Sequence, residues 1–141
     1  MKATVELPGR RAELIEELKD LSDFEMQKQK WVDPKFKHSF SDEMDFPIDA
    51  ILEECDFHKE SSKNLVGIRL RSEEEWEAVH AVAKALMRII NEIGMDQPDS
   101  AYINSPLWQD VVEKAKISYE ILMEDDSMED LLKQAEEKRV S

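Results

Sequence analysis

A chain of 141 residues matches the size of one domain and can bury a hydrophobic core without disulfides or metals. Its 33 Asp and Glu residues outnumber its 19 Lys and Arg residues, and the net charge of −14 disfavours binding to nucleic acid or to an anionic membrane. One cysteine excludes an intrachain disulfide, and three glycines argue against a glycine-rich phosphate loop.

The sequence predicts no targeting signal and no membrane segment. The first ten residues lack the apolar run of a secretory signal, and no stretch approaches about 18 consecutive apolar residues. We therefore expect one domain over residues 1–141, located in the cytoplasm and without a membrane partner.

The first part of the chain predicts helices joined by an irregular connection. A helix that starts near Arg10 is predicted by apolar residues at helical spacing: Leu14, Ile15, Leu18 and Leu21. Its solvated face is predicted to carry Glu13, Glu16, Glu17 and Lys19. Ser22, with Glu25 three residues later, predicts the cap of a further helical segment. Residues 33–47 predict an aromatic-rich connection that packs on the domain. A short helix beginning at Pro47 is predicted by an apolar stripe: Ile48, Ile51, Leu52 and Cys55.

The middle of the chain contains the strongest helix signal. Residues 58–64 are polar and predict a loop, while residues 64–70 predict either a short extended segment or a helical turn, since no partner strand is found. Ser72 and Glu75 match a capping box for a helix over residues 73–93. Its long apolar seam consists of Trp76, Val79, Ala83, Leu86, Ile90 and Ile93. We expect this helix to be central and to end at Gly94.

Two further helices are predicted at the end of the chain. Ser105 and Pro106 suit the N-cap and first position of one, whose apolar face is Trp108, Val111, Val112, Ala115, Tyr119 and Leu122. Ser127 predicts the cap of the last, with an apolar side that consists of Met128, Leu131, Leu132 and Ala135. The prediction is an all-α, single-domain bundle of about five helices, with Trp31, Trp76 and Trp108 mostly in the core.

The sequence offers weak signals for catalysis or for metal binding. Cys55 and His58 have a ligand-like spacing, but a zinc site needs three or four ligands. Cys55 lies in an apolar stripe, where a buried and inert thiol is the common outcome. No nucleotide-binding, metalloprotease or serine-hydrolase motif is present. We therefore predict no catalytic residue, no metal, no cofactor and no enzymatic activity.

Acidic residues are concentrated after residue 40. Residues 1–40 contain eight basic and eight acidic residues, so the whole charge of −14 comes from residues 41–141. The densest acidic run consists of Asp42, Glu43, Asp45, Asp49, Glu53, Glu54 and Asp56. Such a face attracts and orients a basic protein, and Phe46 or Phe57 offers the apolar anchor of an interface. The alternative is a solvated surface, and the same alternative holds for a second acidic run near residues 124–130.

A basic and aromatic segment suggests a different partner. It contains Lys28, Lys30, Trp31, Lys35, Phe36 and Lys37. Lysines alternating with aromatic rings are typical of single-strand nucleic-acid binding. The net charge and the nearby Glu25 and Asp33 oppose this interpretation, so the segment is better explained as a complement to the acidic part of the chain.

Three patches of the sequence resemble a known family. They are LSDFEMQKQKWV at residues 21–32, YINSPLW at residues 102–108 with the following Val111, Val112 and Ala115, and a middle region. In the middle region, Asp42-Glu43 precedes Phe46, and Leu65-Val66-Gly67 precedes a Glu-rich helix start. These patches are similar to small acidic bacterial proteins that resemble immunity proteins of polymorphic and contact-dependent growth-inhibition toxins. The resemblance implies stoichiometric inhibition of a toxin, commonly a nuclease, and supplies no catalytic residues.

The charge and the resemblance together predict an immunity protein that occludes a cognate basic toxin domain. The predicted contact residues are Asp42, Glu43, Asp45, Phe46, Asp49, Glu53, Glu54 and Asp56. A general acidic interaction or regulatory module, and a nucleic-acid mimic that blocks DNA-binding proteins, are the alternatives. A small-molecule enzyme that uses Cys55 or a carboxylate pair is a further one. The oligomeric state is left open.

Overall fold

Three long helices frame the computed structural model: α1 (Pro8–Ser22), α3 (Glu73–Ile93) and α5 (Pro106–Met123). The structure describes residues 5–29, 48, 50–94, 99–124, 130–134 and 136. Two short helices, α2 (Phe24–Gln27) and α4 (Asp99–Ile103), complete the α-helices with defined bounds, and residues 130–134 are also helical. Between α2 and α3 lie a π-helical segment, Ala50–Glu54, and a 3₁₀ helix, Glu60–Leu65. The predicted all-α, single-domain bundle is confirmed.

Within the described residues, α5 is the helix that packs against both α1 and α3. The predicted apolar seam of α3 is buried at Trp76, Val79, Ala83 and Leu86 and half-buried at Ile90 and Ile93. The predicted face of α5 is buried as well, apart from a half-buried Tyr119. Trp76 and Trp108 are in the core as predicted, and Trp31 lies outside the described residues. Periodicity identifies a buried face, but it does not show which helices cover that face.

Local sequence signals place the helix ends. Ser72 accepts a hydrogen bond from the Glu75 N–H, and Ser105 accepts one from the Leu107 N–H, as expected for N-caps. The capping box is incomplete, because the Glu75 carboxylate accepts from the Arg71 N–H and pairs with Arg11 instead of returning to Ser72. Ser22 is the last residue of α1, and the cap of α2 is Asp23, which accepts from the Met26 N–H.

Residues 58–64 differ from the prediction, whereas the turn at residues 67–69 agrees with one of the two alternatives for residues 64–70. The segment expected to be a loop forms the 3₁₀ helix Glu60–Leu65. In its first turn, the Ser62 N–H donates a hydrogen bond to the Lys59 carbonyl. Residues 67–69 form a turn closed by a single bridge between Val66 and Leu70, and no strand occurs in the described part of the chain. The sequence showed no segment that could pair with residues 64–70, and in the structure the chain just before α1 does so. The N–H groups of residues 6 and 7 donate to the carbonyls of residues 67 and 68, over 2.9 and 2.8 Å.

A buried ion pair connects the N-terminal helix to the rest of the bundle. Arg11 is fully buried and donates from both terminal nitrogens to Glu75, each over 2.7 Å. It also donates to the carbonyl of Arg69, over 3.1 Å, and to that of Leu122, over 3.3 Å. One guanidinium therefore joins α1 to α3, to the turn before α3 and to the end of α5. This arrangement satisfies a charge that would otherwise be costly to bury.

A second buried polar contact joins α2 to α5. Gln27 is fully buried, and its Nε2 donates to the carbonyls of Asp20 and Leu21 over 2.8 and 2.9 Å. Its Oε1 accepts from the indole N–H of Trp108, over 2.7 Å. The amide thus satisfies two carbonyls near the end of α1 and the one polar atom of the largest core side chain.

Candidate protein-binding site

The acidic run predicted from the sequence is described only at its C-terminal end. Asp42, Glu43, Asp45, Phe46 and Asp49 lie outside the described residues, and the structure gives the backbone but not the side chains of Glu53 and Glu54. Asp56 is half-buried and has a φ of 52°, a conformation that Asp tolerates better than most residues. The predicted contact residues are therefore neither brought together nor separated by the described part of the chain.

Two neighbours of Asp56 determine how much free charge and apolar surface this end of the acidic run presents to a partner. Lys59 lies with its Nζ 3.7 Å from an Asp56 carboxylate oxygen, so part of that charge is balanced locally. Phe57 is fully buried in the core, and its N–H donates to the Ile51 carbonyl over 3.0 Å. The prediction that Phe57 serves as an exposed anchor is wrong, because its ring is fully buried in the core.

The π-helical segment turns one side to the core and lies against α1. Ile51, Leu52 and Cys55 are buried and Ile48 is half-buried, which confirms the apolar stripe. The stripe follows a π-helical turn over Ala50–Glu54 where an α-helix was predicted. Single π-helical turns are rare and occur often at functional sites, because they change the direction of neighbouring side chains.

A pocket of about 140 Å³ separates α1 from the π-helical segment. The α1 side carries Arg10, Glu13, Leu14 and Glu17. The opposite side carries Ala50, Cys55 and Arg69. The α1 residues follow a helical spacing of three and four, so they form one row along the helix. The lining therefore contains two carboxylates, those of Glu13 and Glu17, and two guanidiniums, those of Arg10 and Arg69.

Sequence reasoning missed this contribution of α1. It assigned Glu13, Glu16 and Glu17 together to the solvated face of the helix, and all three are exposed or half-buried. Only Glu13 and Glu17 line the pocket, while Glu16 does not. The i, i+4 spacing of Glu13 and Glu17 was a visible signal, but nothing in the sequence showed that this row faces residues 50–55.

Cys55 is buried and lines the pocket. Its sulfur accepts a hydrogen bond from the Arg69 guanidinium, over 3.2 Å. No group of three or more His, Cys, Asp or Glu residues suited to a metal ion occurs among the described residues. His58 and His80 follow Cys55 in the chain, and His80 is used elsewhere: its Nδ1 contacts the Phe57 carbonyl and its ring stacks on Trp76.

The other charged segments are described in part. Lys28 pairs with Glu25 over 3.0 Å and lies 5.0 Å from the centroid of the Phe24 ring, whereas the remaining residues of the basic and aromatic segment lie outside the described residues. In the second acidic run, Glu124 and Asp130 are exposed. In the last predicted helix, Leu131 is buried but Leu132 is 56% exposed, so Leu132 does not belong to the apolar side.

Comparison with known proteins places the chain in a family. The family model described as a domain of unknown function (DUF7945) matches residues 5–130. The match covers most of the chain, so the chain belongs to this family. No curated protein and no solved structure matches the chain. No helix in the described ranges is both long and apolar enough to cross a membrane.

Proposed function

We propose that this member of the family is an immunity-type inhibitor, which binds one basic toxin domain in the cytoplasm and blocks it by occlusion. The observation that carries the proposal is the position of Glu13 and Glu17 on α1, across a pocket from the segment that ends the acidic run. We expect Glu13 and Glu17 to contact the same partner as the acidic run. Opposite charges of this kind accelerate association and fix the orientation of two proteins.

The packing of α1 supports a binding role. Arg11 lies one turn or less from Glu13 and Leu14, and it is held by hydrogen bonds to two helices and a turn. A surface on a helix fixed in this way loses little conformational freedom when a partner binds. Preorganisation favours tight, stoichiometric binding, which is what an inhibitor without turnover needs.

The first test is to identify a partner and to measure inhibition directly. The full chain is used to capture proteins from its native host at low and at physiological salt, and the partner identified by mass is then produced and titrated with the chain. The proposal predicts one basic protein whose toxic activity ends at a one-to-one ratio and whose expression is tolerated only with the chain. Several nucleic-acid-binding proteins released by physiological salt would instead support the mimic.

Charge reversal then tests the surface. Asp45→Lys, Asp49→Lys and Glu53→Lys combined should weaken binding at least about 100-fold, since they place like charges opposite a basic partner. A matched control reverses three exposed acids on α3 and α5, Glu77, Glu92 and Glu120, with the same change in net charge. The control should lose far less affinity. Equal losses in the two variants would mean that net charge alone, not this surface, determines binding.

A further inference from the structure

The corner at residues 55–58, where the acidic run ends, combines two uncommon backbone conformations. It follows the π-helical turn Ala50–Glu54, and Asp56 within it has a φ of 52°. The Phe57 N–H donates to the Ile51 carbonyl over 3.0 Å. Both π-helical turns and positive φ values at residues other than glycine occur often at functional sites, where the surrounding structure holds them in place. The corner therefore needs contacts from elsewhere in the fold to keep this conformation.

One such contact comes from His80 on α3, which lies 23 positions after Phe57 in the chain. The Nδ1 atom of His80 is 2.6 Å from the Phe57 carbonyl oxygen. A carbonyl oxygen only accepts hydrogen bonds, so Nδ1 carries the proton and donates. The bond fixes the peptide group between Phe57 and His58, and thus the direction of the backbone next to Asp56.

The imidazole of His80 is itself held in place. Its ring stacks on Trp76, about one turn earlier in α3, with ring centroids 4.4 Å apart and an angle of 15° between the planes. The Trp76 indole N–H donates to the Ser62 hydroxyl over 2.8 Å, and that hydroxyl donates to the Lys59 carbonyl over 2.6 Å. Two stacked side chains of α3 therefore attach both the corner and the 3₁₀ helix that follows it to α3.

We propose that His80 is a positioning residue for the protein partner, because it keeps the end of the acidic run in the orientation that binds. Without the bond from His80, the peptide group after Phe57 is free to rotate and Asp56 can adopt a more common backbone conformation, which turns its carboxylate to a new direction. A partner then binds only the fraction of molecules in which the corner keeps its original conformation, and the apparent affinity falls by that fraction. This role rests on the proposed function for the identity of the partner, whereas the hold of His80 on the corner is a property of the chain alone.

Two substitutions at the same position separate the hydrogen bond from the packing of the ring. The side-chain nitrogen of Asn has the same connection to Cβ as Nδ1 of His, so His80→Asn retains a donor for the Phe57 carbonyl. The nitrogen of Gln corresponds to Nε2, so His80→Gln loses that donor. Both variants remove the ring that stacks on Trp76, so each is the matched control for the other.

Hydrogen exchange in the full chain tests the hold on the corner without any partner. The Lys59 N–H donates to the Asp56 carbonyl over 2.8 Å, so its exchange reports opening of the corner. We expect this N–H to exchange about tenfold faster in His80→Gln than in His80→Asn, which corresponds to the loss of one hydrogen bond. Equal exchange in the two variants would mean that His80 acts only through its ring, and would overturn the inference.

Binding of the identified partner tests the positioning role. His80→Gln should weaken binding about tenfold more than His80→Asn, while the urea midpoints of the two variants stay within about 0.5 M of each other. A chain that inhibits its toxin equally well with either variant would retain the proposed function and lose this role of His80. A chain with no basic partner would contradict the proposed function, whereas a tenfold difference in exchange would still establish the hold of His80 on the corner.

Discussion

Arg10 and Arg11 are neighbours in α1 with opposite environments, and this contrast tests the buried ion pair. Arg11 is fully buried against Glu75, whereas the Arg10 side chain is 55% exposed. We expect Arg11→Met to lower the free energy of unfolding by about 4 kcal/mol, since removing one partner of a buried pair leaves an uncompensated charge. Arg10→Met, which removes an exposed side chain paired with Glu13 at the surface, should change it by less than about 0.5 kcal/mol.

The magnitude follows from the groups that Arg11 leaves behind. Without its guanidinium, the Glu75 carboxylate keeps the Arg71 N–H as a donor but loses two charge-assisted hydrogen bonds. The carbonyls of Arg69 and Leu122 also lose a donor. Breaking a buried pair costs roughly 3–5 kcal/mol, and the remaining bond from Arg71 keeps the expected loss within that range.

Urea unfolding followed by tryptophan fluorescence measures the effect. With an m-value of roughly 2 kcal/mol/M, Arg11→Met should move the midpoint by about 2 M. Replacing both partners, Arg11→Met with Glu75→Met, should cost at least about 2 kcal/mol less than the sum of the two single changes, because no charge is then left buried alone. If Arg11→Met costs no more than Arg10→Met, or if the two single losses simply add, Arg11 and Glu75 do not form a buried ion pair of this strength.

Two further predictions concern the amide of Gln27 and the end of α3. Gln27→Ala should destabilise the protein by about 2–3 kcal/mol in urea, since it removes the acceptor of the Trp108 indole and the donor to two carbonyls. The exposed Gln29, changed to Ala, is the control, and equal losses would show that the buried amide is unimportant. Gly94 has φ 101° and ψ 173°, a region that essentially only glycine occupies, and nothing lies within 4 Å of a Cβ added there. Gly94→Ala should therefore lower the thermal midpoint through backbone strain of about 1–3 kcal/mol, and Gly94→Asn should cost as much; a neutral Asn variant would indicate that this backbone relaxes.

The parts of the fold that the sequence predicted are those determined by neighbours in the chain. The seam of α3, its Ser72 cap and the Ser105-Pro106 start of α5 all depend on residues within a few positions of one another. Hydrophobic periodicity and capping chemistry act over the same short distances. These features can therefore be predicted without knowing which helices contact one another.

The features that the sequence missed depend on residues far apart in the chain. Arg11 and Glu75 are separated by 64 positions, and a charged residue is expected on the surface unless its partner is known. Glu17 was correctly placed on a polar face, but its position at a pocket depends on the approach of residues 50–55 to α1. Phe57 was predicted at an interface because it lies beside acidic residues in the chain. Its ring is buried because residues from other parts of the chain pack around it.

The contacts of α1 also constrain how the protein is made on the ribosome. The guanidinium of Arg11 in α1 donates to the Leu122 carbonyl, 111 positions later in the chain, and α1 packs along α5. At roughly 5–20 residues per second, α5 is completed roughly 5–20 s after α1 has been synthesised. During that interval the apolar side of α1 lacks its main covering helix, which makes the nascent chain a candidate client for chaperones. A translational pause before α5 should therefore reduce the yield of folded protein more than a pause of equal length placed before α1.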